Sequence, residues 1–533
     1  MTQCIQMSSG GFVRSALCVA LLAGVAATAH AQRYQRYIGT SREEQPAALE
    51  RTADDGFVIA GRQLVATTAL GDAFVNKTNG NGIVQWTTVA RDNTGSDLFG
   101  LSVREIQAAL GGGYIAGAQR NTAGLLNLAM YQLNPVGAPV WANVYTANPA
   151  PGRLSVRPLG TGEFVAATQG QETNFPVATA GVFLRLAPGG ALSAFARYVN
   201  LTFTPGPGAV WLSDIRPVGT SGAGFYVCGG VDVVSQPAAG GPFTVSKQML
   251  VMQIDPVGAV IWAFAYAPPT TSPLASANQG LTGLDVSSNG DIVVTGYAFD
   301  ATGVERLNVM RLTAAGGPIW LQQYPTLYTA GGFTSKNIRE APNGDLVIGC
   351  NVTTNPVGAL QGPMTVLRAN AGGFPISINH YGVLGAPGAF QPATNAVIVG
   401  ANLNGVAIAG WKQPPAAATP GMGLNDILLA RPDLAGATGC QESRSVIQPL
   451  STTPQVTQLF IAVNRSGDYA PANLAFNQPV FGQTSVCCPG DITGDNKVDF
   501  NDLNAVLAGF GGNPYSFPNL NTVLSAFGGS CPP

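Results

Sequence analysis

The stretch "GDIVVTGYAFDATGVERLNVMRLTAAGGPIWLQQY", Gly290 to Tyr324, strings three short strands together. "DIVVTG", "RLNVMRL" and "PIWLQQY" are rich in β-branched and aromatic residues, and Gly, Asp or Ala-Gly-Gly turns separate them. The pattern recurs along the chain. Its first strand returns as "DGFVIAG", "GGYIAGA", "GEFVAAT", "GFYVCGG", "GDLVIGC" and "GVAIAGW". Its second and third return as "DAFVNKTNGNGIVQW", "LAMYQLNPVGAPVW", "GVFLRLAPGGALSAF", "MLVMQIDPVGAVIW", "MTVLRANAGGFPIS" and "NDILLARPDLAGATG". An aromatic marker falls at Trp86, Trp141, Phe195, Trp262 and Trp320, giving steps of 55, 54, 67 and 58 by subtraction. A further apolar run precedes most copies ("LSVREI", "RLSVRPL", "LSDIRPV", "LTGLDVS", "SKNIREA"), so each unit holds four strands. Periods of this size mark stacked or radial repeats.

Seven such units resemble a seven-bladed β-propeller, in the manner of the secreted propeller repeats of bacterial surface proteins and without WD or kelch signatures. The expected fold is all-β, with the propeller over 32–444 and a small helical module at the C-terminus. Closure is also legible: "RYQRYIG" (Arg33–Gly39) aligns with "WLQQYPT" (Trp320–Thr326), which predicts that the first mature strand completes the last blade. The seventh unit carries "GCQES" where its own outer strand belongs, consistent with a strand donated from the N-terminus. Residues 445–486 have no place in the repeat and read as one extra strand, "VTQLFIAVN", and linker.

Composition limits the functional classes. Formal net charge is −2 and only 10% of residues are charged, with no basic stripe, so neither nucleic acid nor an anionic membrane is an expected partner. The 68 Gly and 38 Pro fit a turn-rich all-β chain. Arg14, an apolar run from Ala16 to Ala27 and Ala29-His30-Ala31 read as a cleaved signal peptide over 1–31, which predicts a secreted or cell-surface protein without membrane insertion. Eight cysteines become six when Cys4 and Cys18 leave with it. That even number, Cys228, Cys350, Cys440, Cys487, Cys488 and Cys531, favours disulfides in an exported chain, and Cys531 with Cys487-Cys488 would clasp the terminal module.

The tail "GDITGDNKVDFNDL" (Gly490–Leu503) carries the clearest chemistry. Set on a twelve-residue calcium loop, it places Asp491, Thr493, Asp495, Lys497, Asp499 and Asp502 at positions 1, 3, 5, 7, 9 and 12, Lys497 through its carbonyl. Asn496 stands at the turn position usually held by Gly. Leu503, Val506, Leu507 and Phe510 then make one helical face, and "SFPNLNTVLSAFGG" repeats "DFNDLNAVLAGFGG", giving a second helix with Leu520, Val523, Leu524 and Phe527. Residues 487–533 thus resemble a type I dockerin, which implies one bound calcium and a cohesin-like partner. "GGNPYS" replaces the acidic front of the second loop, so no second calcium is expected.

Within the propeller the candidates are fewer. Arg104, Arg157, Arg216 and Arg339 each follow Val or Ile on the first strand of a unit. They either cap carbonyls between blades or form a cationic rim for a carboxylate or sulfate ester. Asp214, Asp285 and Glu340 are candidates for a glycosidase pair. His380 precedes a recurring Tyr (Tyr145, Tyr266, Tyr324, Tyr381), a slot filled elsewhere by Val144, Ala265 and Gln323, which points to structure. The reading is an exported non-catalytic binding or scaffold protein, with a cohesin-like protein or an extracellular glycan as partner. The alternative is a secreted glycoside hydrolase or lyase, since dockerins accompany polysaccharide-degrading domains.

Overall fold

The computed structural model describes residues 34–64, 71–92, 99–122, 125–145, 153–171, 179–200, 208–219, 222–235, 244–269, 279–300, 303–325, 333–353, 361–381, 406–412 and 426–432. It further describes 442–445, 448–459, 461–464, 469–471, 474–477, 482–487, 500–508, 523–524 and 527–528. Signal segment, calcium loop through Asp499, Cys440, Cys488 and Cys531 lie outside the described residues.

The strands form seven antiparallel sheets. Blade 1 is the meander Glu43–Arg51, Phe57–Leu64, Gly71–Thr78 and Val84–Asp92. Blades 2 to 6 repeat it, with inner strands Phe99–Ala108, Leu154–Pro158, Val210–Pro217, Gln279–Val286 and Phe333–Glu340. In blade 7 the N-terminal strand Tyr34–Gly39 lies beside Asp426–Arg431, with Tyr37 opposite Leu428. It holds the outer-strand position, one residue out of register with the alignment of "RYQRYIG" and "WLQQYPT": Tyr34 faces Arg431 as Trp320 faces Arg311.

Alternation of apolar side chains along each strand buries both faces of a blade against its neighbours. Between blades 3 and 4 the core includes Phe183, Tyr198, Val210, Phe225 and Leu250. Between blades 7 and 1 it includes Tyr34, Ile38, Phe57, Phe74 and Leu429, so the ring is closed by packing of the same kind. Cys228 and Cys350 are buried free thiols in two separate core clusters, which corrects the expectation that they enter disulfides. Burial pushes both thiols well up, so they stay protonated.

The segment expected to be one extra strand and linker is instead a belt. Its strands run round the perimeter in reverse blade order. Glu442–Ser445 pairs with blade 6, Leu450–Thr452 with blade 5, Gln455–Gln458 with blade 4 and Ile461–Asn464 with blade 3. Tyr469–Pro471 and Leu474–Asn477 follow on blades 2 and 1, and Gly482–Cys487 ends against the N-terminal strand. The apolar run "VTQLFIAVN" therefore serves two blades, with buried Leu459 between its halves donating its amide to the Ala263 carbonyl at 3.0 Å. An outer strand left bare would offer a row of unpaired backbone groups to another chain. The belt occupies that row on every blade. Where three outer strands begin beyond the belt's reach they begin with Pro139, Pro318 and Pro375, which have no N–H to offer.

A helix spans Phe500–Ala508, starting earlier than the periodicity of Leu503 to Phe510 implies. Val523 is buried, but Leu507 and Leu524, both assigned to a buried helix face, are half-exposed. Among the described residues, Phe500 and Phe527 meet between the two repeats, edge to face with ring centres 5.0 Å apart.

Candidate functional site

The inner strands bring the polar candidates together. A β-bulge interrupts the inner strand in blades 1, 2, 4, 5 and 6, at Ala47, Arg104, Ser213, Thr282 and Lys336. Counting from the paired second strand, equivalent residues opposite Val58, Ile115, Val165, Tyr226, Val293 and Val347 are Glu50, Gln107, Arg157, Arg216, Asp285 and Arg339. These six lie at one level of the inner ring, and the seventh blade's inner strand lies outside the described residues. Arg104 is not among the six, because the bulge consumes one residue and Gln107 takes the ring position; the Arg104 side chain lies outside the described residues. Gln107 Nε2 donates to Glu50 Oε2 at 3.0 Å on the blade 1 to blade 2 side.

Asp214, one step deeper, ties blades 3, 4 and 5 together. Its Oδ1 accepts from Ser155 Oγ at 2.6 Å, from Arg157 Nη2 and Arg216 Nη1 at 2.9 Å each, and from the Ile215 amide at 2.9 Å. Its Oδ2 accepts from the Leu284 amide at 3.0 Å. Burial alone would push this carboxyl up, but the Arg216 and Arg157 guanidiniums, with Arg339 and the Ser155 hydroxyl, hold it down at about 2. Burial, reinforced by Arg157 and Arg339, pushes the Arg216 guanidinium down to about 10, so it remains charged at neutral pH. Arg157, Arg216 and Arg339 also donate to the carbonyls of Val156, Ile215 and Ile338, at 2.7, 3.0 and 2.9 Å.

The other acids are tied into the joints between blades. Asp285 Oδ1 lies 3.4 Å from Arg216 Nε, and its Oδ2 accepts from the Glu340 amide at 3.0 Å. Glu340 accepts from the Ser288 amide at 2.6 Å. A glycosidase needs one carboxyl held protonated near neutral pH. Asp214 is held in the opposite direction. His380 is buried on an outer strand, with Nδ1 2.8 Å from Thr365 Oγ1, and burial pushes its imidazole down to about 4. It is neutral at pH 7 and far from the inner ring in register.

Sequence reading missed three features of these joints. Arg153 donates from blade 3 over blade 4 to the Thr282 carbonyl of blade 5 at 3.0 Å. The Asp of the "NGD" turns does more than turn the chain: Asp291 and Asp345 pair with Arg311 and Arg368 of the third strand, both at 2.8 Å to Nε. Recurring outer-strand tyrosines also link blades 2, 3, 4 and 5 each to the next. Tyr145, Tyr198 and Tyr266 donate to the carbonyls of Gly190, Gly258 and Gly316 at 2.6, 2.8 and 2.6 Å. Gly190 turns with φ +79, and a Cβ there would meet the Trp141 ring at 2.6 Å, so the joint admits only glycine. At the closing seam Gly82 stands in the same relation to Tyr34. The marker Phe195 is one residue out of register: Ala194 faces Arg185 as Trp320 faces Arg311.

No known protein family and no curated protein matches the chain. Among solved structures, it is similar to a point mutant of the Synechocystis apocarotenoid oxygenase. That match has 11% identity and a TM-score of 0.35, covering 80% of this chain and 96% of that one. A chimera of apocarotenoid oxygenase and RPE65 aligns with 11% identity and a TM-score of 0.32, over 75% and 93% of the two chains. Likeness at this level carries no argument about activity; the propeller assignment rests on the chain's own sheets.

Proposed function

We propose that the protein is an exported, non-catalytic binding or scaffold protein. In this reading a closed propeller carries a calcium-binding dockerin-like module, and the pair mediates extracellular or cell-surface contact with a cohesin-like protein or a glycan. The observation that carries the reading is the use made of the inner-ring acids. Asp214 and Asp285 spend both carboxylate oxygens on arginines and backbone amides of neighbouring blades. Such groups hold blades together, and neither of these two acids is poised to protonate a leaving group.

The calcium assignment rests on the loop sequence Asp491 to Asp502, all oxygen donors at calcium-ligand spacing. It is supported by the helix that starts at Phe500 and by the Phe500–Phe527 contact between the two repeats. Arg157, Arg216 and Arg339, with Arg104 three residues before the ring residue Gln107, are the proposed contacts for an acidic glycan. The test is titration calorimetry on the mature chain from Gln32. The expected result is about one calcium per chain, with magnesium far weaker because its rigid octahedron suits such a loop poorly. Asp491→Ala with Asp502→Ala should abolish it. A stoichiometry near two would mean that "GGNPYS" still coordinates metal, and no binding would end the dockerin-like reading.

A further inference from the structure

Among the described residues, the inner ring holds a buried arginine donor without an acceptor. Arg216 gives Nη1 to Asp214 and the Ile215 carbonyl, and Nε to Asp285, yet its Nη2 is buried without a partner among the described residues, in a side chain only 9% exposed. Arg339 donates Nη1 to the Ile338 carbonyl and meets no carboxylate among the described residues. Among the described side chains at this level of blades 3 to 6, three guanidiniums, Arg157, Arg216 and Arg339, stand beside two carboxylates, Asp214 and Asp285. Within this group of five the cations outnumber the anions by one. Asp285 sits on the blade between Arg216 and Arg339, but its two oxygens face Arg216 Nε and the Glu340 amide. Glu50, the other acid among the six described positions, is on the blade 1 side and takes the Gln107 amide. Arg339 nonetheless acts on both Asp214 and Arg216, so the three groups share one electrostatic neighbourhood.

A buried donor without an acceptor is costly, and a guanidinium offers oxyanions a planar fork of N–H groups. We propose that the inner ring across blades 4 to 6 takes one small oxyanion, the carboxylate or sulfate ester of an acidic sugar, between Arg216 Nη2 and Arg339. This narrows the glycan reading above to a charged group and a place. The half-buried Arg339 would supply the accessible side of the site. Arg216, locked to Asp214, would supply the fixed side.

The experiment is calorimetry on the full mature chain at constant ionic strength with three probes: methyl galacturonoside, its neutral methyl galactoside counterpart, and sodium sulfate. The uronide or sulfate should bind and the neutral sugar should not. Arg339→Gln should weaken that binding by about tenfold or more, the range for losing one charge-assisted hydrogen bond. Its ligand-free unfolding midpoint should stay close to that of the parent, and Arg339→Lys should recover part of the affinity. Which anion binds separates the two sources of the oxyanion. Binding of neither by the parent chain, equal binding of the neutral sugar, or unchanged affinity in Arg339→Gln would overturn the site. Failure of the calcium titration alone would leave this result standing, since the probes do not involve the C-terminal loop.

Discussion

A chain lacking Tyr34 to Gly39 is expected to lose its single cooperative unfolding transition and to aggregate at concentrations where the mature protein is soluble. The strand carries Tyr34, Tyr37 and Ile38, all nearly fully buried, and burial of such side chains contributes roughly 1.5–3 kcal/mol each. Their sum is comparable to the about 5–15 kcal/mol that separates folded from unfolded states in most domains. The deletion also breaks two ladders at once, because the strand lies between Asp426–Arg431 and Gly482–Cys487. It opens the seam to blade 1, where Arg36 Nε donates to the Asn81 carbonyl at 2.7 Å and Tyr34 covers Gly82. Urea unfolding followed by fluorescence measures the effect. A deleted chain as stable and as soluble as its parent would show that blade 7 does not need this strand.

The second large effect is expected at Asp214. Asp214→Ala leaves Arg157 and Arg216 buried in the same place without their shared counter-ion, and breaking a buried pair in this way costs about 3–5 kcal/mol. Asp214→Ala combined with Arg216→Met should cost less than the sum of the two single changes, because the second removes the charge that the first strands. An acid held for chemistry behaves differently: its removal ends activity and leaves the unfolding midpoint almost unmoved. A loss below about 1 kcal/mol, the usual worth of an exposed ion pair, would argue that Asp214 is not the joint described here.

The repeat was legible because blades bury side chains on both faces, and burial writes a period into sequence. Closure was legible for the same reason, although the register lies one residue from the alignment: Ile38 faces Ile427 as Tyr324 faces Leu307, and Tyr37 packs back onto blade 6. The belt left no such mark. Its strands are three to six residues long, and Gln455–Gln458 is exposed at all four positions. Such strands are fixed by backbone hydrogen bonds, which any sequence can make. The ring register was hidden by the bulges. Val103-Arg104 looks like Val156-Arg157, but Ile106-Gln107 is the pair that faces the second strand at the equivalent level. An inserted residue changes the count without changing composition, so a motif match alone misplaced Arg104. The buried thiols escaped for another reason. Cysteine number speaks to redox compartment, whereas pairing needs two cysteines within reach, and Cys228 and Cys350 belong to different cores.

Paired cysteines test at once the ring of seven blades and the belt that runs backwards round it. Gln322 faces Ser451 on blade 5, and Val199 faces Ala462 on blade 3. Directly opposed residues of antiparallel strands lie within disulfide reach. Gln322→Cys with Ser451→Cys, and Val199→Cys with Ala462→Cys, introduced together and mapped by peptide mass spectrometry after mild oxidation, should give both bridges in one monomer. Residues 451 and 462, eleven apart, would then be fixed to blades two positions apart in the ring, which one extra strand followed by a linker cannot do. Absence of both bridges, with the native fold retained, would contradict the belt.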